Sequence, residues 1–272
     1  MQGHTKPVLV TGGTGTLGRL VVARLLEAGR DVRVLSRRHQ EAADGIEYVT
    51  GDLATGEGID AAVDGAETIV HCAGGPRGDE DKAQNLVRAA ARAGAAHLVF
   101  ISVVGADRTP IRSRADRAMF GYIGSKRAAE RIVAESGVPF TTLRATQFHD
   151  LILTMARQMA KLPVIPAPAG VRSQPIDAAE VADRLVELTL DKPAGLVPDM
   201  GGPRVYGLAD LIRDYLRATH RHRPIVPLKL PGEAARAFRA GANLAPERAV
   251  GHRTWEDFLA ERVGGGTAVS RR

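Results

Sequence analysis

The segment Val8-Leu9-Val10-Thr11-Gly12-Gly13-Thr14-Gly15-Thr16-Leu17-Gly18 places a short apolar strand directly before a glycine-rich turn and a helical pattern. Gly13, Gly15 and Gly18 match G-x-G-x-x-G, whereas Gly12, Gly15 and Gly18 match G-x-x-G-x-x-G, and either alignment lets the backbone come close to a pyrophosphate. The helix that follows directs its unpaired N–H groups at that phosphate. The segment predicts a dinucleotide-binding turn, with an ordinary glycine-rich loop as the alternative. The residues expected at the cofactor are Thr11, Gly12, Thr14, Gly15, Thr16, Leu17 and Gly18.

Length and composition predict a globular protein with a large core. The chain has 272 residues, of which 44% are hydrophobic and 25% charged, which suits one α/β domain with a smaller appendage. No stretch approaches the roughly 20 apolar residues of a membrane span, and the segment 1–7 lacks the apolar core of a signal peptide. We therefore expect a cytoplasmic protein without membrane contact.

Cysteine and charge usage exclude several function classes. The single cysteine, Cys72, excludes an internal disulfide and a multi-cysteine metal site, and no histidine spacing predicts a metal. The net charge of +6 comes from arginines dispersed among acids, so no nucleic-acid partner is expected. The densest cluster, His220-Arg221-His222-Arg223, precedes Pro224. It is expected to be an exposed connector, with contact to phosphate or nucleic acid as the alternative.

Apolar strand candidates alternate with helical stretches through the first 150 residues. This alternation predicts an α/β fold with a Rossmann-type doubly wound parallel sheet, covered by helices on both faces. The run 83–93 is a predicted helix ended by Gly94. The strand candidates are 8–10, 31–35, 46–49, 68–71, 97–102 and 140–143.

The alternation weakens after about residue 150. Residues 162–168 contain too many prolines for a central strand. We therefore predict an NAD(P)-binding domain at 1–150 and a smaller, less regular substrate-binding region at 151–272, with part of 171–200 returning to the first domain. Helices are predicted at 208–218 and 255–263, a strand at 225–230 and a frayed end at 264–272.

The end of the second strand indicates which nucleotide is preferred. Folds that bind NAD usually place an acid there for the ribose 2′-hydroxyl, whereas this chain has Ser36-Arg37-Arg38. A guanidinium presents several donors to phosphate oxygens, and no acid repels a 2′-phosphate. NADP(H) is therefore expected over NAD(H), with a solvated turn as the alternative.

A second chemical signal is the pair Tyr122 and Lys126. Positions i and i+4 share a helix face, so the phenol and the ammonium are expected to meet. A nearby cation favours the phenolate and would lower the tyrosine pKa from about 10 towards the range useful for proton transfer. The phenol could then exchange a proton with a substrate oxygen during hydride transfer.

Together these motifs resemble the atypical and extended short-chain dehydrogenases/reductases, particularly the NmrA-like branch, over nearly the whole chain. The motifs are 11–18, Gly51-Asp52-Leu53, His71-Cys72-Ala73-Gly74, 101–105, Tyr122 with Lys126, Ala129-Glu130, and 143–148. The resemblance implies that Asp52 and Leu53 lie by the adenine, Ala73 and Gly74 along the cofactor, Lys126 on the nicotinamide ribose, and Thr146, Gln147 and Phe148 near the nicotinamide. Taken alone, Asp52 could equally be a turn acid and Thr146 a strand-end hydroxyl.

The sequence departs from this family after the fifth strand. Catalytic relatives place Ser or Thr there, whereas this chain has Val103 and Val104, with Ser102 one or two positions earlier. Ser102 is a candidate catalytic residue, or a strand-end serine bonded to backbone. The expected function is an NADP(H)-dependent oxidoreductase that reduces a small carbonyl, enone or quinone. The alternative is a non-catalytic, NADP(H)-sensing regulatory protein of the NmrA type, which Val104 favours and Tyr122 opposes.

Overall fold

The computed structural model describes residues 6–42, 45–75 and 78–264. The predicted frayed end lies outside these residues except for Gly264, which ends the last helix. Backbone contacts divide the chain into two compact units, which we call unit 1 and unit 2. Unit 1 comprises Met1–Ser102, Gly121–Arg144 and Ala178–Pro198, and unit 2 comprises Val103–Phe120, Ala145–Asp177 and Asp199–Arg272.

Strands and helices alternate along most of the described chain. The strands are β1 Val8–Thr11, β2 Val32–Ser36, β3 Ile46–Thr50, β4 Thr68–His71, β5 His97–Val103, β6 Phe140–Ala145, β7 Ile165–Pro168, β8 Arg172–Ser173, β9 Gly195–Leu196, β10 Tyr206–Gly207 and β11 Ile225–Leu228. The α-helices are α1 Gly18–Glu27, α2 Ile59–Val63, α3 Asp79–Ala93, α4 Arg114–Ala134, α5 His149–Met159, α6 Ala178–Leu190, α7 Leu208–Ala218, α8 Glu233–Ala240 and α9 Trp255–Gly264, with a 3₁₀ turn at Pro246–Arg248.

A seven-stranded parallel sheet has the order β3-β2-β1-β4-β5-β6-β9. Its strands are short and apolar; Val8, Leu9 and Val10 of β1 are all buried, as a strand covered on both faces requires. The chain leaves β1 towards β2 on one side and later returns to β4 on the other. This reversal of strand order creates a crevice at the carboxyl ends of β1 and β4. The predicted doubly wound Rossmann-type fold is confirmed.

Helices cover both faces of this sheet. Side chains of α2, α3 and α4 pack with Leu9, Ile69 and Phe100 in one core cluster. On the other face α1 and α6 contact each other and neighbouring strands. Gly94 ends α3 in the left-handed conformation, with φ of 66°.

Unit 2 contains a separate core around α5, α7 and α9. Trp255, Phe258 and Leu211 are fully or almost fully buried there. β7 and β11 form a parallel pair, and β8 and β10 an antiparallel pair. The predicted helices at 208–218 and 255–263 are present, whereas α5 and α8 had no counterpart in the sequence-based assignment.

Within the described ranges, no helix combines the length and apolar character needed to cross a bilayer.

Candidate cofactor and catalytic site

The glycine-rich turn after β1 follows the wider of the two spacings. Gly12 has a φ of 72°, and a Cβ there would lie 2.6 Å from the backbone nitrogen of Ala73. The Gly15 N–H donates to the Gly12 carbonyl at 2.9 Å, and a Cβ on Gly18 would lie 2.1 Å from that oxygen. Gly13 packs instead against the Val34 side chain. The chain therefore turns at Gly12, and Gly15 and Gly18 allow α1 to approach closely.

A cleft of about 480 Å³ lies where β1 to β4 end. Its walls come from four segments that the sequence analysis singled out, together with Lys82 of α3, which it missed. The lining is Gly12, Thr14, Gly15, Leu35, Ser36, Arg37, Gly51, Asp52, Leu53, Ala54, Cys72, Ala73, Gly74, Gly75 and Lys82. Among the described residues, this lining does not include the predicted residues Thr11, Thr16, Leu17, Gly18, Arg38, Lys126, Thr146 and Phe148.

Ser36, at the end of β2, and Arg37, which follows it, differ in burial and in their partners at the cleft. Ser36 is buried, and its hydroxyl accepts hydrogen bonds of 3.3 Å from the Arg38 backbone N–H and the Gln40 side chain. Arg37 is exposed, and no carboxylate pairs with its guanidinium in the part of the chain that the structure describes. Arg37 is thus the cation available to an anion at this end of the cleft.

Asp52 is both a turn acid and a cleft residue. Its Oδ1 accepts a hydrogen bond of 2.8 Å from the Ala54 N–H, the pattern of an Asx turn. Leu53 is buried, and its carbonyl accepts a hydrogen bond from Asn85 at 2.9 Å. The two interpretations left open for Asp52, a turn acid and a residue beside the adenine, are therefore compatible with each other.

The predicted contact between Tyr122 and Lys126 is present on α4. The Lys126 side chain is only 3% exposed, and its Nζ lies 5.9 Å from the centroid of the Tyr122 ring and 5.0 Å from that of Phe100. The ammonium donates to the Ile101 carbonyl at 3.3 Å. It therefore faces the ring of the tyrosine.

A buried carboxylate beside this lysine escaped the sequence analysis. Asp79 Oδ2 lies 3.2 Å from Lys126 Nζ, and its Oδ1 accepts hydrogen bonds from the Gly75 N–H at 2.9 Å and from Lys82 Nζ at 3.1 Å. The sequence Asp79-Glu80-Asp81 is typical of an acidic first helical turn, and nothing in it distinguishes Asp79. Only the fold brings this acid to Lys126.

The electrostatics around Tyr122 and Lys126 contradict the predicted direction of the Tyr122 pKa shift. Burial, and then the negative charge of Asp79, raise the pKa of Tyr122 instead of lowering it. Burial lowers the pKa of Lys126, and Asp79 opposes that shift. Both effects disfavour the expected phenolate, because burial and the negative charge of Asp79 outweigh the attraction of the nearby ammonium. Tyr122 keeps its proton at neutral pH and can act as a proton donor.

Two further titratable groups at the end of β4 stay neutral. His71 Nδ1 is hydrogen-bonded to Thr11 Oγ1 at 2.7 Å, and burial, followed by the charge of Lys126, lowers the His71 pKa to about 3. Burial raises the pKa of the Cys72 thiol to about 12. The thiol is therefore a weak nucleophile.

The remaining predicted site residues lie in different surroundings. Ser102 is 2% exposed within β5, and its hydroxyl has no hydrogen-bond partner among the described residues, so the backbone-bonded alternative is not observed. In unit 2, Thr146 Oγ1 donates to the Gln174 carbonyl at 2.5 Å, as expected for a strand-end hydroxyl. Phe148 is half-buried and precedes α5. Val104 is buried, and its N–H bonds the Ala145 carbonyl.

The basic cluster at 220–223 is an exposed connector between α7 and β11. It borders a surface cleft of about 680 Å³ in unit 2. Arg213 and Arg217, which also line this cleft, form ion pairs with Asp210 and Asp214 on the same helix.

The sheet order, the glycine turn and the cleft at the switch point define a dinucleotide-binding protein of the Rossmann class. Residues 12–192 match a family described as NAD(P)H-binding. The chain belongs to this family, and the resemblance to atypical short-chain dehydrogenases/reductases of the NmrA-like type is confirmed.

Two curated relatives are similar to this chain. One is the (4-alkanoyl-5-oxo-2,5-dihydrofuran-3-yl)methyl phosphate reductase of Streptomyces griseus, 31% identical over 166 residues, which are 60% of this chain and 55% of the relative. The other is the ceramide reductase of Caulobacter vibrioides, 31% identical over 208 residues, which are 70% of this chain and 63% of the relative. The chain thus spans about half to two thirds of the length of these relatives.

A solved structure shares the fold. The NADPH-dependent quinone oxidoreductase QOR2 of Escherichia coli, complexed with NADPH, superimposes with a TM-score of 0.78 at 18% identity, covering 94% of this chain and 99% of that one.

Proposed function

We propose that this protein is an NADP(H)-dependent oxidoreductase that reduces a small carbonyl, enone or quinone. The observation that carries the proposal is the placement of Lys126. A Cβ added to Gly74, a cleft residue, would lie 3.2 Å from Lys126 Nζ, and that ammonium contacts the Tyr122 ring. Lys126, to which we assign the ribose contact, thus lies behind Gly74 of the cleft, with the ring of Tyr122, the proposed proton donor, beside it.

The described residues fit NADP(H). Gly12, Gly15 and Gly18 keep side chains out of the turn before α1, where a pyrophosphate would meet the first N–H groups of that helix. Arg37 has an exposed guanidinium at the place where the 2′-phosphate would lie. We assign the adenine to the wall formed by Asp52 and Leu53.

In the proposed mechanism, the reduced nicotinamide supplies a hydride to the substrate when the cofactor is bound. Tyr122 donates its phenolic proton to the substrate oxygen on which negative charge develops. Its raised pKa suits an acid that must hold its proton until that charge appears. Lys126 binds the nicotinamide ribose, and Ser102 is the second hydroxyl at the end of β5.

The expected substrate class follows from relatives and from the proton donor. The two curated relatives described above are named reductases, and the solved structure described above is a quinone oxidoreductase. A neutral phenol donor suits reduction of an oxygen-bearing, electron-poor carbon. We assign substrate selection to residues of unit 2.

The test is a screen of purified protein with quinones, enones, aldehydes and ketones, in which NADPH absorbance is followed. At least one class should be reduced faster with NADPH than with NADH, and the rate should depend on Tyr122. If wild-type protein binds NADPH but oxidises it with no member of a broad panel, the reductase assignment is wrong.

A second candidate function is an NADP(H)-sensing regulatory protein without turnover. Val104 favours it, because it is a buried aliphatic residue where catalytic relatives place a hydroxyl. This candidate predicts tight NADPH binding that changes affinity for a protein partner, with no substrate-dependent oxidation.

A further inference from the structure

We propose that Asp79 is a positioning residue that holds the ammonium of Lys126 directly behind Gly74 of the cofactor cleft. This inference rests on the proposed role of Lys126 at the nicotinamide ribose. Asp79 does not need to touch cofactor or substrate for this purpose. It acts through the ion pair that its Oδ2 makes with Lys126 Nζ.

Contacts from several parts of the chain fix the orientation of the Asp79 carboxylate. Oδ1 accepts from the Gly75 N–H, which belongs to the cleft wall, and from Lys82 one helical turn further along α3. Oδ2 is left for Lys126 of α4. Because both Asp79 and Lys126 are almost fully buried, at 1% and 3% side-chain exposure, neither can exchange its partner for water without a local rearrangement.

Gly74 connects this ion pair to the cleft. A Cβ at Gly74 would lie 3.2 Å from Lys126 Nζ and 3.4 Å from Asp79 Oδ2. Because Gly74 has no side chain, only its backbone separates the ion pair of Asp79 and Lys126 from the cleft. A cation held in this place can reach a ribose hydroxyl, whereas a lysine without its carboxylate would be a buried, uncompensated charge.

The titratable groups around Lys126 determine how NADPH affinity depends on pH. His71 and Cys72 face it from β4, Lys82 from α3 and Tyr122 from its own helix. The lowered pKa of His71 and the raised pKa values of Cys72 and Tyr122 keep these three groups neutral between about pH 7 and about pH 9. Asp79 is the main group that opposes the effect of burial on the Lys126 pKa, through its charge and its hydrogen bond.

The test is the affinity for NADPH of Asp79→Asn, measured by cofactor fluorescence from about pH 7 to about pH 9. Without the carboxylate, the Lys126 pKa falls further, so the ammonium is lost as pH rises. We expect affinity at least tenfold weaker than wild type, with a loss relative to wild type that grows with pH. The matched control is Asp81→Asn, which removes the same charge from an exposed position in the same helical turn and should bind like wild type.

Two further variants keep the test decisive if Asp79→Asn does not fold. Asp79→Glu retains the charge on a longer side chain and should restore the pH profile of the wild type, even where affinity is partly lost. Gly74→Ala retains both charges but places a methyl group against Lys126 Nζ. It should weaken NADPH binding at all pH values, because it displaces the ammonium without removing its partner.

The affinity measurement does not depend on turnover, so two failures can be told apart. If wild type binds NADPH but no substrate is reduced, the reductase function fails and the role of Asp79 in cofactor binding is still measured. If folded Asp79→Asn binds NADPH as tightly as wild type and with the same pH profile, Asp79 is merely structural and the inference is overturned.

Discussion

Asp79 in unit 1 and Gln174 in unit 2 are both buried polar side chains, but they are bound in different ways. At the cleft of unit 1, one carboxylate is shared among a backbone N–H and two lysines. In unit 2, the Gln174 amide donates to the Gly202 carbonyl and accepts from the Ala245 N–H, each at 2.8 Å. Amides that bind backbone in this way join loops and carry no charge.

This difference indicates where chemistry is expected. A neutral amide bound to two loops adds specificity to the fold without the desolvation cost of an ion. A buried ion pair beside a cleft costs more, and it shifts the pKa values of its neighbours, which is typical of functional sites. Experiments that alter unit 1 near its cleft should therefore change binding and turnover, whereas matched changes in the core of unit 2 should change stability.

The largest expected effect is that of Tyr122→Phe. The variant keeps the buried ring and removes the proposed proton donor, so turnover of an identified substrate should fall by about 10²–10⁴. Affinity for NADPH should stay nearly unchanged, because Lys126 contacts the ring and binds Asp79 independently of the hydroxyl. Steady-state rates and a binding titration separate the two quantities.

The control for Tyr122→Phe is Tyr48→Phe on β3, a half-buried tyrosine of unit 1 that does not line the cleft. Its turnover should equal that of wild type. Full activity of Tyr122→Phe would remove the proton-donor assignment.

Gly15→Val should come next in size. A Cβ at Gly15 meets only the Gly12 carbonyl, at 3.2 Å, so the branched side chain extends into the cleft rather than into the core. We expect NADPH affinity to fall by about 10²-fold or more, since the backbone can no longer approach the pyrophosphate. Calorimetric titration measures the affinity, and a melting curve close to that of wild type excludes unfolding. Retained affinity in the folded variant would place the cofactor elsewhere.

Arg37→Asp should reverse the cofactor preference. Loss of a charge-assisted contact and gain of repulsion should change the ratio of NADPH to NADH affinity by roughly 10²-fold. The matched control is Arg38→Asp, which makes the same charge change at an exposed residue outside the cleft lining. If both variants change the ratio of NADPH to NADH affinity equally, the cause is long-range charge rather than a contact between Arg37 and the 2′-phosphate.

The comparison also explains how much could be predicted from sequence. Strands β1 to β6 and the glycine turn follow from local patterns: apolar runs, strand-ending glycines and helical periodicity. Helices α5 and α8 were missed because the preceding region lacks that regular alternation, although Ile152, Leu153 and Ala156 of α5 have helical spacing and are buried.

The site was only partly predictable for a physical reason. Tyr122 and Lys126 are four residues apart, so their proximity follows from one helix, whereas Asp79 and Lys82 reach Lys126 only through packing of α3 and α4 on the sheet. The direction of the Tyr122 pKa shift depends on that distant carboxylate and on burial. It was therefore wrong when inferred from the helical pair alone.

The smallest expected effect concerns stability in unit 2. His149 is fully buried against the rings of Trp255 and Phe258, and neither of its ring nitrogens has a hydrogen-bond partner within the described residues. Burial lowers its pKa to about 4, although the charge of Asp177 opposes the shift. Because the unfolded chain binds this proton near pH 6.5, the stabilisation is complete above that pH and is lost as pH falls from about 6.5 to about 4.

His149→Phe should remove this dependence. Phenylalanine keeps a flat ring against Trp255 and Phe258 and leaves no polar nitrogen without a partner. Between pH 7 and pH 5 the wild type should lose about 2 kcal/mol more unfolding free energy than the variant, as measured by denaturant titration at each pH. His222→Phe, at an exposed position of the same unit, should retain the wild-type pH dependence. Equal losses of unfolding free energy in wild type and His149→Phe would show that His149 is protonated or solvated in the folded protein. NADPH affinity at pH 7 should not change in either variant.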